Sequence, residues 1–90
     1  MAGYRLLIKP SAAKEIEAVG QKKERQRIVN RIAALASEPP PTGSEKLAGA
    51  EGRYRIRQGE FRIIYAVDDA THIVEVVKVG HRGEVYRGAT

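Results

Sequence analysis

Arg53-Tyr54-Arg55-Ile56-Arg57-Gln58-Gly59-Glu60-Phe61-Arg62-Ile63-Ile64-Tyr65-Ala66-Val67 is the stretch that decides the fold. From Arg53 to Arg57, basic and apolar residues alternate with period two, the pattern of a strand with one buried face. Gln58-Gly59-Glu60 reads as a tight turn, and Phe61 to Val67 as the strand that folds back on the first. Asp68-Asp69-Ala70-Thr71 makes a further turn. Ile73 to Val79 is the most apolar run, which predicts a central strand buried on both faces over much of its length. The chain from residue 53 onward is therefore a three-stranded antiparallel meander.

Upstream, the period changes. Pro39-Pro40-Pro41 and Thr42-Gly43-Ser44 form a loop that no helix can cross. Before it, Ile28, Ile32, Leu35 and Ala36 repeat at the helical period, predicting a helix from about Lys22 to Ser37, with Val29 and Ala33 widening its apolar face. A shorter helix is predicted over roughly 11–19. Ser11 is its expected N-cap, Glu15 lies near a capping-box position, Ala12, Ile16 and Val19 form its buried stripe, and Gly20 ends it. Tyr4 to Lys9 is an opening strand stopped by Pro10. The order β-α-α-β-β-β defines an α+β domain spanning residues 1–90, with a helical hairpin packed on a four-stranded, largely antiparallel sheet.

Ninety residues, 42% hydrophobic and 30% charged, suit one small folded domain. Cysteine is absent, which removes disulfides and thiolate chemistry. No apolar run approaches the ~20 residues of a membrane span, and no signal-peptide pattern opens the chain, so a cytoplasmic location is expected. The net charge is +5, carried by ten arginines and six lysines against eleven acids. Arginine presents a planar fork to phosphate, so this balance points to a polyanion: nucleic acid, or an acidic protein that imitates it.

The charge is patterned. Strand alternation puts Arg53, Arg55 and Arg57 on one face while Tyr54 and Ile56 face the core. The next strand adds Arg62 beside them, with Glu60 the one nearby carboxylate. Such a surface is either a solvated outer face or a device for holding phosphates and opposing the charge of a phosphoryl-transfer transition state. A second cluster, Gly80-His81-Arg82-Gly83-Glu84-Val85-Tyr86-Arg87, follows the central strand. Tyr86 there is either a base-stacking or proton-transferring group or an aromatic closing the sheet edge. Two isolated histidines without cysteines or clustered carboxylates argue against a metal, and no cofactor is expected.

Taken in order, Lys46-Leu47-Ala48-Gly49, Arg53 to Arg57, Phe61 to Tyr65 and Val79 to Tyr86 resemble the motifs of the RelE/ParE toxin superfamily, most closely its RelE type. The resemblance implies a compact fold similar to small microbial ribonucleases. It also implies a toxin of a type II toxin–antitoxin system: a ribosome-dependent endoribonuclease that cuts mRNA in the ribosomal A site, stops translation and is neutralised by a small RelB-like antitoxin in a hetero-oligomeric complex. Carried over by motif, the catalytic positions are Arg55, Arg57, Arg62, Arg82 and Tyr86, and Arg53, Lys46 and His81 are RNA-binding candidates.

Some family members carry lysines where this chain has Arg55 and Arg57. Arginine keeps its proton at neutral pH, so base duty passes to Tyr86, His81, a ribosomal group or water. His81 and Arg82 are neighbours on an extended chain and so point apart. Two other functions remain open at this level: a ParE-like toxin that inhibits DNA gyrase by binding, without nuclease activity, and a plain nucleic-acid-binding module.

Overall fold

The computed structural model describes residues 3–37, the backbone of 45–46, and residues 52–81. Strand β1 (Arg5–Ile8) leads into helix α1 (Pro10–Glu17) and helix α2 (Lys22–Leu35), followed by strands β2 (Glu45–Lys46), β3 (Arg53–Gln58), β4 (Phe61–Asp68) and β5 (Ile73–His81). The expected element order holds, with the two-residue β2 added at one edge. The sheet runs β1-β5-β4-β3-β2, antiparallel throughout except that β1 lies parallel to β5.

α2 begins at Lys22 as expected, whereas α1 begins differently from the sequence expectation. Pro10 occupies the first turn of α1 and Lys9 is the N-cap, so Ser11 lies inside the helix. Proline is well placed there, because its missing N–H falls among donors that a helix start leaves unpaired anyway. Glu15 does not close a capping box. α1 stops at Glu17 with Ala18 as C-cap, two residues before Gly20, and α2 stops at Leu35.

Ala12, Ile16 and Val19 from the first helical segment, with Ile28, Ile32 and Leu35 from α2, pack onto Ile56, Ile63, Tyr65, Val74, Val76 and Val79 of the sheet. That stripe is narrower than the sequence pattern suggested, since Val29 is 43% exposed and Ala33 faces solvent. β5 also departs from its prediction. Its buried residues are Val74, Val76 and Val79, spaced two and then three apart. The register with β4 shifts at that point: Ile64 opposes Lys78 but Tyr65 opposes Val76, leaving Val77 as an extra residue in a bulge. The apolar run thus reflects one buried face and a bulge, with the other face only half-buried.

The β3–β4 hairpin closes through Gly59 and Glu60, with Gln58 paired to Phe61. Gly59 has φ +60°, and a β-carbon there would stand 3.1 Å from Glu24 Oε2. Gly59→Ala therefore incurs both left-handed strain and a close contact, and a loss of about 1–2 kcal/mol is expected by urea unfolding. Gly20→Ala, where a β-carbon meets nothing within 4 Å, should change stability by less than about 0.5 kcal/mol in either direction. At the other end of the sheet, Tyr4 ties β1 to the β4–β5 turn. Its ring stacks on His72 with centroids 4.9 Å apart, and its hydroxyl donates to Asp69 Oδ1 at 2.8 Å. That hydrogen bond to a carboxylate holds the phenol above its ordinary pKa.

Candidate active site

The sheet face turned away from the helices is built in registered rows. Arg57 lies opposite Arg62, which lies opposite Gly80. In the next row Glu45, Arg55, Ile64 and Lys78 follow one another across four strands, and in the third Arg53, Ala66, Glu75 and Leu7 do the same. Arg53, Arg55, Arg57 and Arg62 are therefore brought to one face, as the alternation predicts.

Two arginines directly opposite each other repel, and cross-strand like charges weaken a hairpin. The contacts of Arg57 and Arg62 are backbone carbonyls at long range: Arg57 Nε donates to the Gly59 oxygen and Arg62 donates to the Phe61 oxygen, each at 3.4 Å. Among the described residues neither meets a carboxylate. Gly80 adds no side chain beside Arg62. The arrangement presents two guanidinium forks whose repulsion an anion would relieve, which is the chemistry of a phosphate clamp. Arg55, half-buried between Glu45 and Ile64 in register, extends the same row of cations.

Lys78 belongs to this face by register, but its ammonium is drawn to the sheet edge. β1 ends at Ile8 opposite Val76, so among the described residues the last part of β5 has no neighbouring strand on that side. Glu15 of α1 supplies the missing acceptor. Its Oε1 accepts the Val79 N–H at 3.0 Å, and its Oε2 receives Lys78 Nζ at 2.7 Å. This clip braces the strand end beside Arg62, and sequence reasoning missed it. The partners lie more than sixty residues apart, and no local pattern links them.

The structure does not bring His81 to the arginine face. His81 pairs with Phe61, on the helix side, and its ring meets Phe61 edge-on with centroids 5.6 Å apart. There it lines clefts with Val19 and Gly20, including one of about 360 Å³ that also takes in Gln21, Glu24 and Glu60. Lys46 pairs with Tyr54 at the edge of the sheet, one residue out of step with the arginine row. Arg82 and Tyr86 lie outside the described residues. Among the described residues, no group of three His, Cys, Asp or Glu side chains could hold a metal ion, and no helix is long and apolar enough to cross a membrane.

Comparison with known proteins agrees with this geometry. Residues 6–86 match the family model of the ParE toxin of the type II toxin–antitoxin system parDE. Toxin RelE of Mycobacterium tuberculosis is 27% identical over 84 residues, covering 93% of this chain and 87% of the relative. Among solved structures, RelE in the archaeal RelE–RelB complex from Pyrococcus horikoshii superposes with a TM-score of 0.79 at 28% identity, over 92% of this chain and 98% of that one. The isolated E. coli RelE toxin gives a TM-score of 0.76 at 29% identity, over 96% and 94% of the two chains. The fold thus recurs together with the family's sequence pattern, and the chain belongs to the ParE toxin family of type II toxin–antitoxin systems, as a RelE-type member of the RelE/ParE superfamily.

Proposed function

We propose that this chain is a ribosome-dependent endoribonuclease that cuts mRNA in the ribosomal A site. The observation that supports it is the Arg57–Arg62 pair, two opposed cations without a carboxylate among the described residues, on the sheet face that also carries Arg55 and Arg53. In the reaction, a ribose 2′-oxygen attacks the adjacent phosphorus while the bond to the 5′-oxygen breaks. The products are a 2′,3′-cyclic phosphate and a 5′-hydroxyl. Charge grows on the non-bridging oxygens, where Arg57 and Arg62, joined by Arg82, oppose it. The 2′-hydroxyl proton must leave and the 5′-oxygen must gain one, and arginine performs neither task at neutral pH. Tyr86, a ribosomal group or water takes those roles, and His81, on the opposite face of the sheet, is left out of the step.

Without a strong base of its own, the enzyme depends on the ribosome to align the attacking oxygen, and such alignment can lower a barrier by ~7–11 kcal/mol. The Pyrococcus structure is a RelE–RelB complex, and E. coli RelE has also been solved in a RelBE toxin–antitoxin complex. The proposal extends this to a small RelB-like antitoxin that covers the cationic face here, in a cytoplasmic hetero-oligomeric complex. A ParE-like inhibitor of DNA gyrase is the second reading, favoured by the name of the matching family model. An inhibitor that acts by binding alone does not need two opposed arginines that, among the described residues, meet no carboxylate. Purified toxin added to ribosomes holding a defined message should yield fragments ending in a 2′,3′-cyclic phosphate, while the same message free in solution stays largely intact. Uncut message together with inhibited supercoiling by gyrase would favour the second reading.

A further inference from the structure

The Glu15 clip falls where β5 has lost its support on one side. β1 makes its last bond to β5 through the Lys9 N–H, which donates to the Val76 oxygen at 3.0 Å. One residue later Val77 bulges out of the ladder with β4. A bulge interrupts pairing and lets a strand bend. Beyond it, among the described residues, Lys78 to His81 are strand-paired on the β4 side alone, with Ile64, Ile63, Arg62 and Phe61 in turn. Arg62 thus pairs with this short stretch at Gly80, and Arg82 follows it directly in sequence.

Glu15 reaches this stretch from a fixed base. Ala12 and Ile16, on either side of it along α1, are buried in the core. Its two oxygens do different work. Oε1 accepts the Val79 N–H at 3.0 Å, which replaces the strand neighbour that β1 no longer provides and fixes the backbone one residue before Gly80. Oε2 takes Lys78 Nζ at 2.7 Å and draws the ammonium away from the row that Lys78 shares in register with Ile64 and Arg55. The Glu15 and Lys78 side chains are 30% and 25% exposed, so water reaches the pair and screens it. The bond to the backbone is therefore the half that holds the geometry. A group remote from the reacting atoms sets a rate when it places the groups that act on them. We propose that Glu15 is a positioning residue for the cleavage step, holding the end of β5 so that Gly80 stays opposite Arg62 and the chain is delivered correctly to Arg82. This role rests on the proposed nuclease activity.

The test compares the full-length toxin with Glu15 variants in steady-state cleavage of a defined message on ribosomes, each protein assayed well below its melting temperature. Glu15→Ala should lower kcat by about 10- to 100-fold while KM for the programmed ribosome stays within about twofold, the signature of a misplaced group rather than of lost binding. Glu15→Gln gives up the ion pair but keeps an oxygen that accepts the Val79 N–H, and its kcat should stay within about threefold of wild type. Glu15→Asp keeps the charge on a side chain one methylene shorter, and its kcat should fall as in Glu15→Ala, which leaves the test decisive if the alanine variant does not fold. Amide hydrogen exchange reads the clip without any cutting. The Val79 amide should exchange faster in Glu15→Ala and Glu15→Asp than in wild type, while the Ile63 amide inside the sheet stays protected. A wild-type kcat in both of those variants, a loss confined to KM, a glutamine variant as slow as the alanine one, or unchanged Val79 exchange overturns the positioning role while the nuclease stands. A message left uncut by the wild-type toxin on the ribosome overturns the nuclease reading instead.

Discussion

Arg62→Ala is expected to lower ribosome-dependent cleavage by about 10²- to 10³-fold in kcat, the usual consequence of removing one preorganised group from a developing oxyanion. The same substitution should leave the fold intact. Among the described residues Arg62 makes one 3.4 Å side-chain hydrogen bond, to the carbonyl of the preceding residue, and it lies opposite Arg57 across the hairpin. Removing it relieves repulsion, so thermal stability should stay level or rise slightly. Loss of activity with undiminished stability separates a catalytic role from a structural one. Arg62→Lys should recover only part of the rate, because an ammonium keeps the charge but loses the bidentate fork. An Arg62→Ala protein that cuts within threefold of wild type would remove the clamp from the mechanism.

The largest expected effect on stability comes from the centre of the sheet. Ile63 is fully buried, opposite Ile56 on one side and Val79 on the other, beneath both helices. Ile63→Ala should cost about 2–5 kcal/mol, combining lost burial with the cavity left behind. A domain of this size loses roughly 4–8 °C of melting temperature per kcal/mol, so a fall of about 15 °C or more is expected by differential scanning calorimetry. Val29→Ala, on the exposed side of α2, should move the midpoint by no more than a few degrees. Equal shifts for the two would mean that the core is not where the structure puts it.

The parts of this molecule that were legible in its sequence are those set by local periodicity. The alternation of Arg53 to Arg57 announced both the strand and the face its arginines share, and the spacing of Ile28, Ile32 and Leu35 announced the buried side of α2. What escaped depends on contacts between distant segments. The Val77 bulge makes one buried face of β5 look like two, because it shifts the inward positions from 76 to 79. Glu15 looked like a capping residue, yet it serves the edge of β5 where β1 has ended. The two-residue β2 follows a run of Pro, Thr, Gly and Ser, so no strand pattern marks it. His81 lies on the Phe61 side, away from the face that carries Arg57 and Arg62, a placement that needs the register of β4 with β5.

The arginine face as a ribosome-dependent cutting site is tested most directly by inducing the chain in bacterial cells and mapping mRNA 5′-ends across the transcriptome. New 5′-hydroxyl ends, phased to the reading frame within translated regions and absent on induction of Arg62→Ala, are the predicted result. Growth arrest with no new ends, accompanied by loss of DNA supercoiling, would contradict it.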